Sequence, residues 1–366
     1  MDVSERMGER PSIELSMYDR ALMKVLMCFP ALASNHIDGV MRVLGYTRNP
    51  KYNITRLRQL CGARPNGESE KHLHRRLSET GYLLTSNPYK GVAYGAERGE
   101  RIRSRVSLYS LTRAGRDALG VREELPHRDT RYNWAHYHQS ALLLRSLEAG
   151  IPLSMMSPAI DYKRLYRYDP YVPMWFLYRV PRGGGVFDLF CVTFLTSGRP
   201  ELGPGWSGVI GFVCRTHNRS EDYVVLVPWS WYVSAARELR DRSAYRTYLM
   251  PYDMSLEILS NFILHSKDWY VRLLAEYLGV KGFEEAGGLA WFGHEGYIQG
   301  CRVYLGEFVS GNLKTLRSLS VGAKQGGFGV PVYCLVTARQ YSFKRLLPSF
   351  PGLQYVLYES LCERAG

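Results

Sequence analysis

Glu68–Leu84 reads ESEKHLHRRLSETGYLL, and this stretch decides how the first third of the chain is organised. Ser69 is a helix cap, Leu73 and Leu77 lie one turn apart on one face, and Gly81 supplies a stop. With the two leucines turned inward, a step of about 100° per residue points Lys71, His72, Arg75 and Ser78 outward. His74 and Arg76 then flank the buried stripe, and Glu79 joins the outward set. A free face of cationic and hydrogen-bonding groups suits a major groove, where Arg and Lys meet guanine edges and phosphates. Such a face is equally at home in water, so the flanking segments have to discriminate.

Upstream, apolar residues at helical spacing predict helices over Met17–Met27, over a segment capped by Ser34 or Asn35 and ending near Gly45, and over Ile54–Leu60. Downstream, Tyr82–Leu84 reads as a strand, and SRVSLYSL (Ser104–Leu111) alternates as its return. Between them, Lys90, Arg98, Arg101, Arg103 and Arg105 face only Glu97 and Glu100, among the glycines Gly91, Gly95 and Gly99. This is the pattern of a basic hairpin that meets a phosphate backbone. LTRAGRDALG then gives a short helix capped by Thr112. Helices, a basic helix, a basic hairpin and a closing helix make the order of a winged helix-turn-helix. The DNA-binding candidates are therefore Lys71, His72, His74, Arg75, Ser78, Lys90, Arg98, Arg101, Arg103 and Arg105.

The charge balance points the same way. The 366 residues carry 47 Lys and Arg against 34 Asp and Glu, a formal +13. Residues 42–120 hold 16 of the bases and 6 of the acids, a local +10. An excess of that kind favours a polyanionic partner. No apolar run reaches the roughly 18 residues of a spanning helix, and the mixed charges of residues 1–10 do not resemble a signal peptide. The seven cysteines are scattered without a C-x-x-C pair, which suits a reduced, cytoplasmic protein with core thiols. Neither an internal repeat nor a long low-complexity tract is visible.

The pattern RRLSETGYLL…YSLTRAGRDALG, within residues 18–120, resembles the N-terminal part of the replication-relaxation family of plasmid and conjugative-element proteins. The resemblance implies a winged-helix domain followed by a restriction-endonuclease-like domain, and a role in plasmid replication or conjugative DNA processing. The expected class is α/β, α+β overall, with a winged helix-turn-helix over 1–120, a linker over 121–131 and a mixed-sheet domain over 132–366. The polar run GVREELPHRDTR (Gly120–Arg131) marks the linker. In the second domain, apolar strands are predicted at Gly185–Thr196, Ser207–Thr216, Tyr223–Trp229, Pro331–Thr337 and Gln354–Glu359. Helices are predicted at Trp134–Leu147, Val233–Arg242, Trp269–Leu278 and over SFKRLL (Ser342–Leu347), while the glycine-rich stretch 282–329 resists placement.

The chemistry of the second domain is less legible. A nuclease of the implied fold needs an Asp on one strand and an acid-x-Lys on the next, to hold Mg²⁺ and steady the phosphate. Asp188 qualifies as the first acid, but Gly211–Arg215 offers no second one; the plain alternative is that Asp188 pairs with an arginine. His136 and His138 match the His-x-His of metal-dependent nicking enzymes, yet two residues apart on a helix they diverge by about 200°. Gly183–Gly185 lacks the Gly-Lys-Ser/Thr ending of a phosphate loop. Tyr162–Arg179 interleaves tyrosines with Lys163, Arg164, Arg167 and Arg179, a composition that suits single-stranded DNA, a protein interface or simple packing.

The leading expectation is a sequence-specific double-stranded DNA-binding protein of a mobile genetic element. A second copy of the chain and other mobilisation or replication proteins stand as further candidate partners. The rival readings are a relaxase or nicking nuclease, and a transcriptional regulator with a sensor domain. No cofactor is expected; Mg²⁺ or Mn²⁺ would enter only with the nuclease reading.

Overall fold

Ser16 starts the first helix through a reciprocal cap: its hydroxyl accepts from the Asp19 N–H, and the Asp19 carboxylate accepts from the Ser16 N–H at 2.9 Å. The helix it opens, α1 (Met17–Cys28), buries Leu22, Met23, Val25 and Leu26. The computed structural model describes residues 14–61, 81–85, 89–94, 101–122, 133–159, 175–194, 221–240, 247–285, 294–343 and 345–365. They form a mixture of helices and mixed sheets, α+β overall. No helix among them is long and apolar enough to cross a membrane.

By their internal contacts the residues divide into two compact units, one of 1–93 with 102–170 and one of 94–101 with 171–366. In the first unit, β1 (Leu32–Ala33) leads into α2 (Ser34–Val43), and α3 (Pro50–Leu60) follows. Then come β2 (Leu83–Thr85), β3 (Tyr89–Tyr94), β4 (Arg101–Val106), β5 (Leu108–Leu111) and the short α4 (Arg113–Ala118), with Tyr94 and Arg101 at the ends of β3 and β4 counted with the second unit. β5 is central, antiparallel to β1 with Leu32 opposite Tyr109 and to β2 with Leu83 opposite Leu111; β3 and β4 pair with each other.

The first unit does not stop at residue 120. Its next helix, α5 (Asn133–Glu148), lies against α2 and β1. Ala33 N–H donates to Ser140 Oγ at 3.0 Å, and Leu144 packs so closely on Gly39 that a Cβ there would sit 2.7 Å from it. The expected boundary at 121–131 therefore differs from the observed division near residue 170. A polar run reports that a segment is exposed, not that contacts cease beyond it. Residues 123–131 of that run lie outside the described residues. β6 (Met156–Pro158) is the last described strand of this unit.

The second unit holds two arrays of similar plan. In the first array, β7 (Phe176–Gly183) and β8 (Val186–Phe194) form an antiparallel hairpin. β9 (Asp222–Val227) lies parallel to β8, and β10 (Thr247–Pro251) lies parallel to β9 after the crossover helix α6 (Trp229–Arg240). Helix α7 (Ser255–Leu264) follows. The second array opens with α8 (Trp269–Tyr277) and β11 (Lys281–Glu285). β12 (His294–Ile298) and β13 (Cys301–Glu307) again form an antiparallel hairpin, with β11 on the outside of β12. β14 (Val332–Val336) then runs parallel to β13, and β15 (Leu353–Leu357) parallel to β14. The helices of this array are α9 (Leu313–Gln325), α10 (Ala338–Ser342) and α11 (Tyr358–Ala365).

Strand register carries the likeness further. Val227 and Pro251 are partners at the carboxyl ends of β9 and β10, as Val336 and Leu357 are at those of β14 and β15. Two residues beyond the last strand stands a carboxylate in each array, Asp253 and Glu359. Each accepts a hydrogen bond from the first residue of the preceding crossover helix: Asp253 from Trp229 Nε1 at 2.8 Å, Glu359 from the Ala338 N–H at 2.9 and 3.0 Å. The second unit thus repeats one topology, which the sequence did not reveal as a repeat.

The arrays join through buried polar contacts. Leu249 N–H donates to Gly311 O at 2.9 Å. Gln340 Nε2 donates to Tyr232 Oη at 2.8 Å and to Phe308 O at 2.7 Å, while its Oε1 accepts from the Thr337 N–H. Thr337 and Gln340 form a capping box, which starts a helix at Ala338 instead of the expected Ser342; Arg345–Leu347 form a turn. The described part of 282–329 holds the rest of β11 together with β12, β13 and α9, with Asn312 as N-cap and Gly326 in the left-handed conformation at the end, while 286–293 lie outside the described residues.

Candidate nucleic-acid interface

The residues that position α3 are charged and buried. Asp19 is 0% exposed, yet both of its oxygens are used: Arg48 donates to Oδ1 at 2.9 Å, and Arg56 donates to Oδ2 at 2.7 and 3.1 Å. Burial alone would raise the Asp19 carboxyl, but the hydrogen bonds from Arg56, Ser16 and Arg48 outweigh it and hold it below its ordinary range. The Arg48 guanidinium also lies 4.2 Å from the centre of the Tyr18 ring. Burial pushes the Tyr18 hydroxyl up to about 12, and Asn53 donates to it at 2.8 Å. Arg48 and Arg56 are therefore internal braces that tie α3 to α1. No local pattern marks either arginine, because their partner lies on another helix.

Beyond α3, Thr112 fixes the junction of β5 and α4. Its hydroxyl accepts from the Gly115 N–H at 3.0 Å and donates to the Gly81 carbonyl at 2.6 Å. At Gly115 a Cβ would stand 2.3 Å from the Tyr82 carbonyl oxygen, so this close approach requires glycine. These contacts give the Gly81-Tyr82…Thr112-x-x-Gly115 pattern a physical cause.

The sequence-derived site residues fall into two groups. Lys71, His72, His74, Arg75, Ser78 and Arg98 lie outside the described residues. Lys90 lies on β3, and Arg101, Arg103 and Arg105 occupy alternate positions of β4. Of the remaining cations near α3, Arg58 is exposed.

His136 and His138 sit on α5, both buried. His136 Nδ1 lies 3.0 Å from Gln139 Oε1, while the His138 ring packs edge-on against Tyr137. His36 of α2 joins this seam: its Nδ1 is 3.1 Å from Ser140 Oγ, and its ring is 5.1 Å from that of Tyr137. Burial lowers His36 to about 4 and His138 to about 3, so both rings are neutral near pH 7. The His-x-His pair is part of the packing of α5, its two rings turned to different neighbours. Among the described residues no group of three His, Cys, Asp or Glu side chains could hold a metal ion.

Asp188 meets two cations. Arg182 Nε donates to its Oδ2 at 2.7 Å, and Lys267 Nζ lies 3.4 Å from Oδ1. Lys267 also donates to buried Asp222 at 2.9 Å. β9, which begins at Asp222, is the strand parallel to β8; the expected strand 207–216 lies outside the described residues. The carboxylate proposed as a metal ligand is thus already neutralised, as an acid at this position does when basic groups converge on it. Lys267 escaped sequence reading because it stands on the loop between α7 and α8, with no local motif.

Of Tyr162–Arg179, the described part begins at Trp175. Phe176, Leu177 and Tyr178 are buried core residues, not a stacking platform; Arg179 is exposed. Compared with protein-family models, with curated proteins and with solved structures, the chain matches none of them.

Proposed function

We propose that the protein binds double-stranded DNA through a winged helix-turn-helix within residues 1–120. The observation that carries this reading is the β3–β4 hairpin, in which Arg101, Arg103 and Arg105 take alternate positions of one strand; in sequence it lies between β2 and β5 of the antiparallel β1–β5–β2 sheet, and residues 94–101 count with the second unit. The sequence places a second basic element, Lys71–Ser78, immediately before that sheet. Cations at every second residue of a strand are a pattern that suits a phosphate backbone, with a preceding basic helix for base contacts. The local charge of residues 42–120 supports a polyanionic partner.

In this reading the second unit is a restriction-endonuclease-like module without a working nuclease centre. Its neutralised Asp188 supports an assembly or auxiliary DNA-contact role. Action in the replication or conjugative processing of a mobile element, in the cytoplasm, completes the proposal.

Fluorescence anisotropy with labelled duplexes at several salt concentrations tests it. The log of the binding constant should fall linearly with log salt, and replacing Arg101, Arg103 and Arg105 together with Ala should reduce that slope by about one per lost phosphate contact, roughly three in all. Arg75→Ala should instead flatten the preference for one sequence over another. Binding that ignores salt, or an unchanged slope in the triple variant, would remove the hairpin from the interface.

A further inference from the structure

The β7–β8 hairpin ends in Gly183, Gly184 and Gly185, all at positive φ, and a Cβ at any of them would meet no atom within 4 Å. Beside this turn two apolar side chains stand in solvent: Val186 is 62% exposed and Phe187 is 39% exposed. Exposed Leu264 lies at the end of α7, which Arg182 beside the turn touches.

The tip is held firmly for so exposed a feature. Arg182 donates to the α7 carbonyl of Phe262 at 2.7 Å and to that of His265 at 3.2 Å, capping the negative end of that helix. Its Nε binds Asp188, and Lys267 joins Asp188 to Asp222. Every charge in this brace is neutralised by another. Arg179 is different. It is exposed, its guanidinium lies 3.9 Å from the centre of the Phe187 ring, and among the described residues no carboxylate pairs with it. The uncompensated charge of the tip is therefore positive, in a chain of formal +13.

We propose that this tip is a second duplex-DNA contact, in which the exposed part of Phe187 wedges into a base step and Arg179, on the same face of the hairpin, lies on the adjacent backbone. An apolar side chain at a rigid projection flanked by arginine has the chemistry that unstacks a step and kinks the helix. A preorganised hairpin loses little conformational freedom on insertion. The proposal rests on the reading of the protein as a DNA binder.

The test uses the full chain and a short duplex, end-labelled for energy transfer, with a flexible TA step at its centre. Wild-type protein is expected to raise the transfer efficiency and, on a duplex carrying 2-aminopurine beside that step, to raise its fluorescence. The Phe187→Ser variant is expected to bind about tenfold more weakly and to leave the duplex straight. The side chain is exposed, so an unchanged circular dichroism spectrum and urea midpoint should accompany the loss. A variant that binds and bends as wild type does overturns the wedge while leaving the β4 arginine effect intact. Wild-type binding with neither bending nor a 2-aminopurine signal overturns it as well. Absence of any duplex binding by wild type removes the DNA reading and the wedge together. Sedimentation of the variant as a smaller species than wild type would make the tip a protein interface, also against the proposal.

Discussion

Asp19 shows how one buried side chain can serve several elements. It completes the cap of α1 and receives two arginines that approach from the other side, Arg48 just before α3 and Arg56 within it. Removing it would strand both guanidinium groups at the edge of the core, where each is only slightly exposed. Asp19→Ala should lower the unfolding free energy by about 3 kcal/mol, the scale for breaking a buried pair from one side. Urea denaturation followed by circular dichroism would measure it; a change below about 0.5 kcal/mol, typical of a surface position, would mean the network is incidental. The cap itself was open to sequence reading, since Ser and Asp three apart before an apolar run are local signals. The arginines were not, because nothing near Arg48 or Arg56 in the chain announces a partner on α1.

The packing of α5 on α2 is an element-scale property with a consequence in pH. His36 and His138 are neutral when folded, with pKa values lowered by burial to about 4 and about 3. The unfolded chain takes up protons on both rings as pH falls through about 6.5. Stability is therefore fully present above that value. It is lost as pH falls toward the folded pKa values, by up to about 1.4 kcal/mol per pH unit for each histidine. Urea midpoints of the full chain should drop between pH 7.5 and 5, and His36→Gln should make that drop shallower. A midpoint independent of pH over this range would show that the rings are accessible in the folded state. At the same scale, sequence reading found β8, β9 and β14 because an apolar run between turns is enough to mark a buried strand. It missed α9, whose apolar stripe Leu313, Leu316 and Leu319 is short and is followed by Gly322, Gly326, Gly327 and Gly329. Gly322 is there because Phe328 and Phe350 press on the helix: a Cβ would come within 2.3 Å of Phe328.

Across the whole molecule, the cohesion of the second unit rests on polar atoms buried between its two arrays. Gln340 is fully buried and serves Tyr232, Phe308 and Thr337 at once. Gln340→Leu would preserve its volume and orphan those three groups, so a loss of about 3 kcal/mol is expected, against about 1 kcal/mol for Tyr232→Phe, which removes one hydrogen bond. If Gln340→Leu were neutral by urea denaturation, the apolar contacts alone would be holding the arrays. The repeated topology belongs to this scale too. YVVLV in β9 and VYCLV in β14 occupy corresponding places; they share a closing Leu-Val and otherwise only their apolar character. A core strand asks only for buried hydrophobic side chains, so the two copies can share a fold with no motif long enough to mark a repeat.

The chain's own letters determined whatever depends on neighbours a few residues apart: α1, α2, α3 and α4, strands β2 and β5, the cap at Thr112, the arginines at alternate positions of β4 and the basic excess around them. Those features follow from periodicity, capping and turn chemistry, which act over one or two turns of chain. Tertiary structure alone decided that α5 belongs with the first unit, that Asp188 is neutralised by Arg182 and Lys267, and that one sheet plan occurs twice. Each of these depends on which distant segments pack together. Hydrophobic burial and charge pairing are indifferent to separation along the chain, so no local pattern records their outcome.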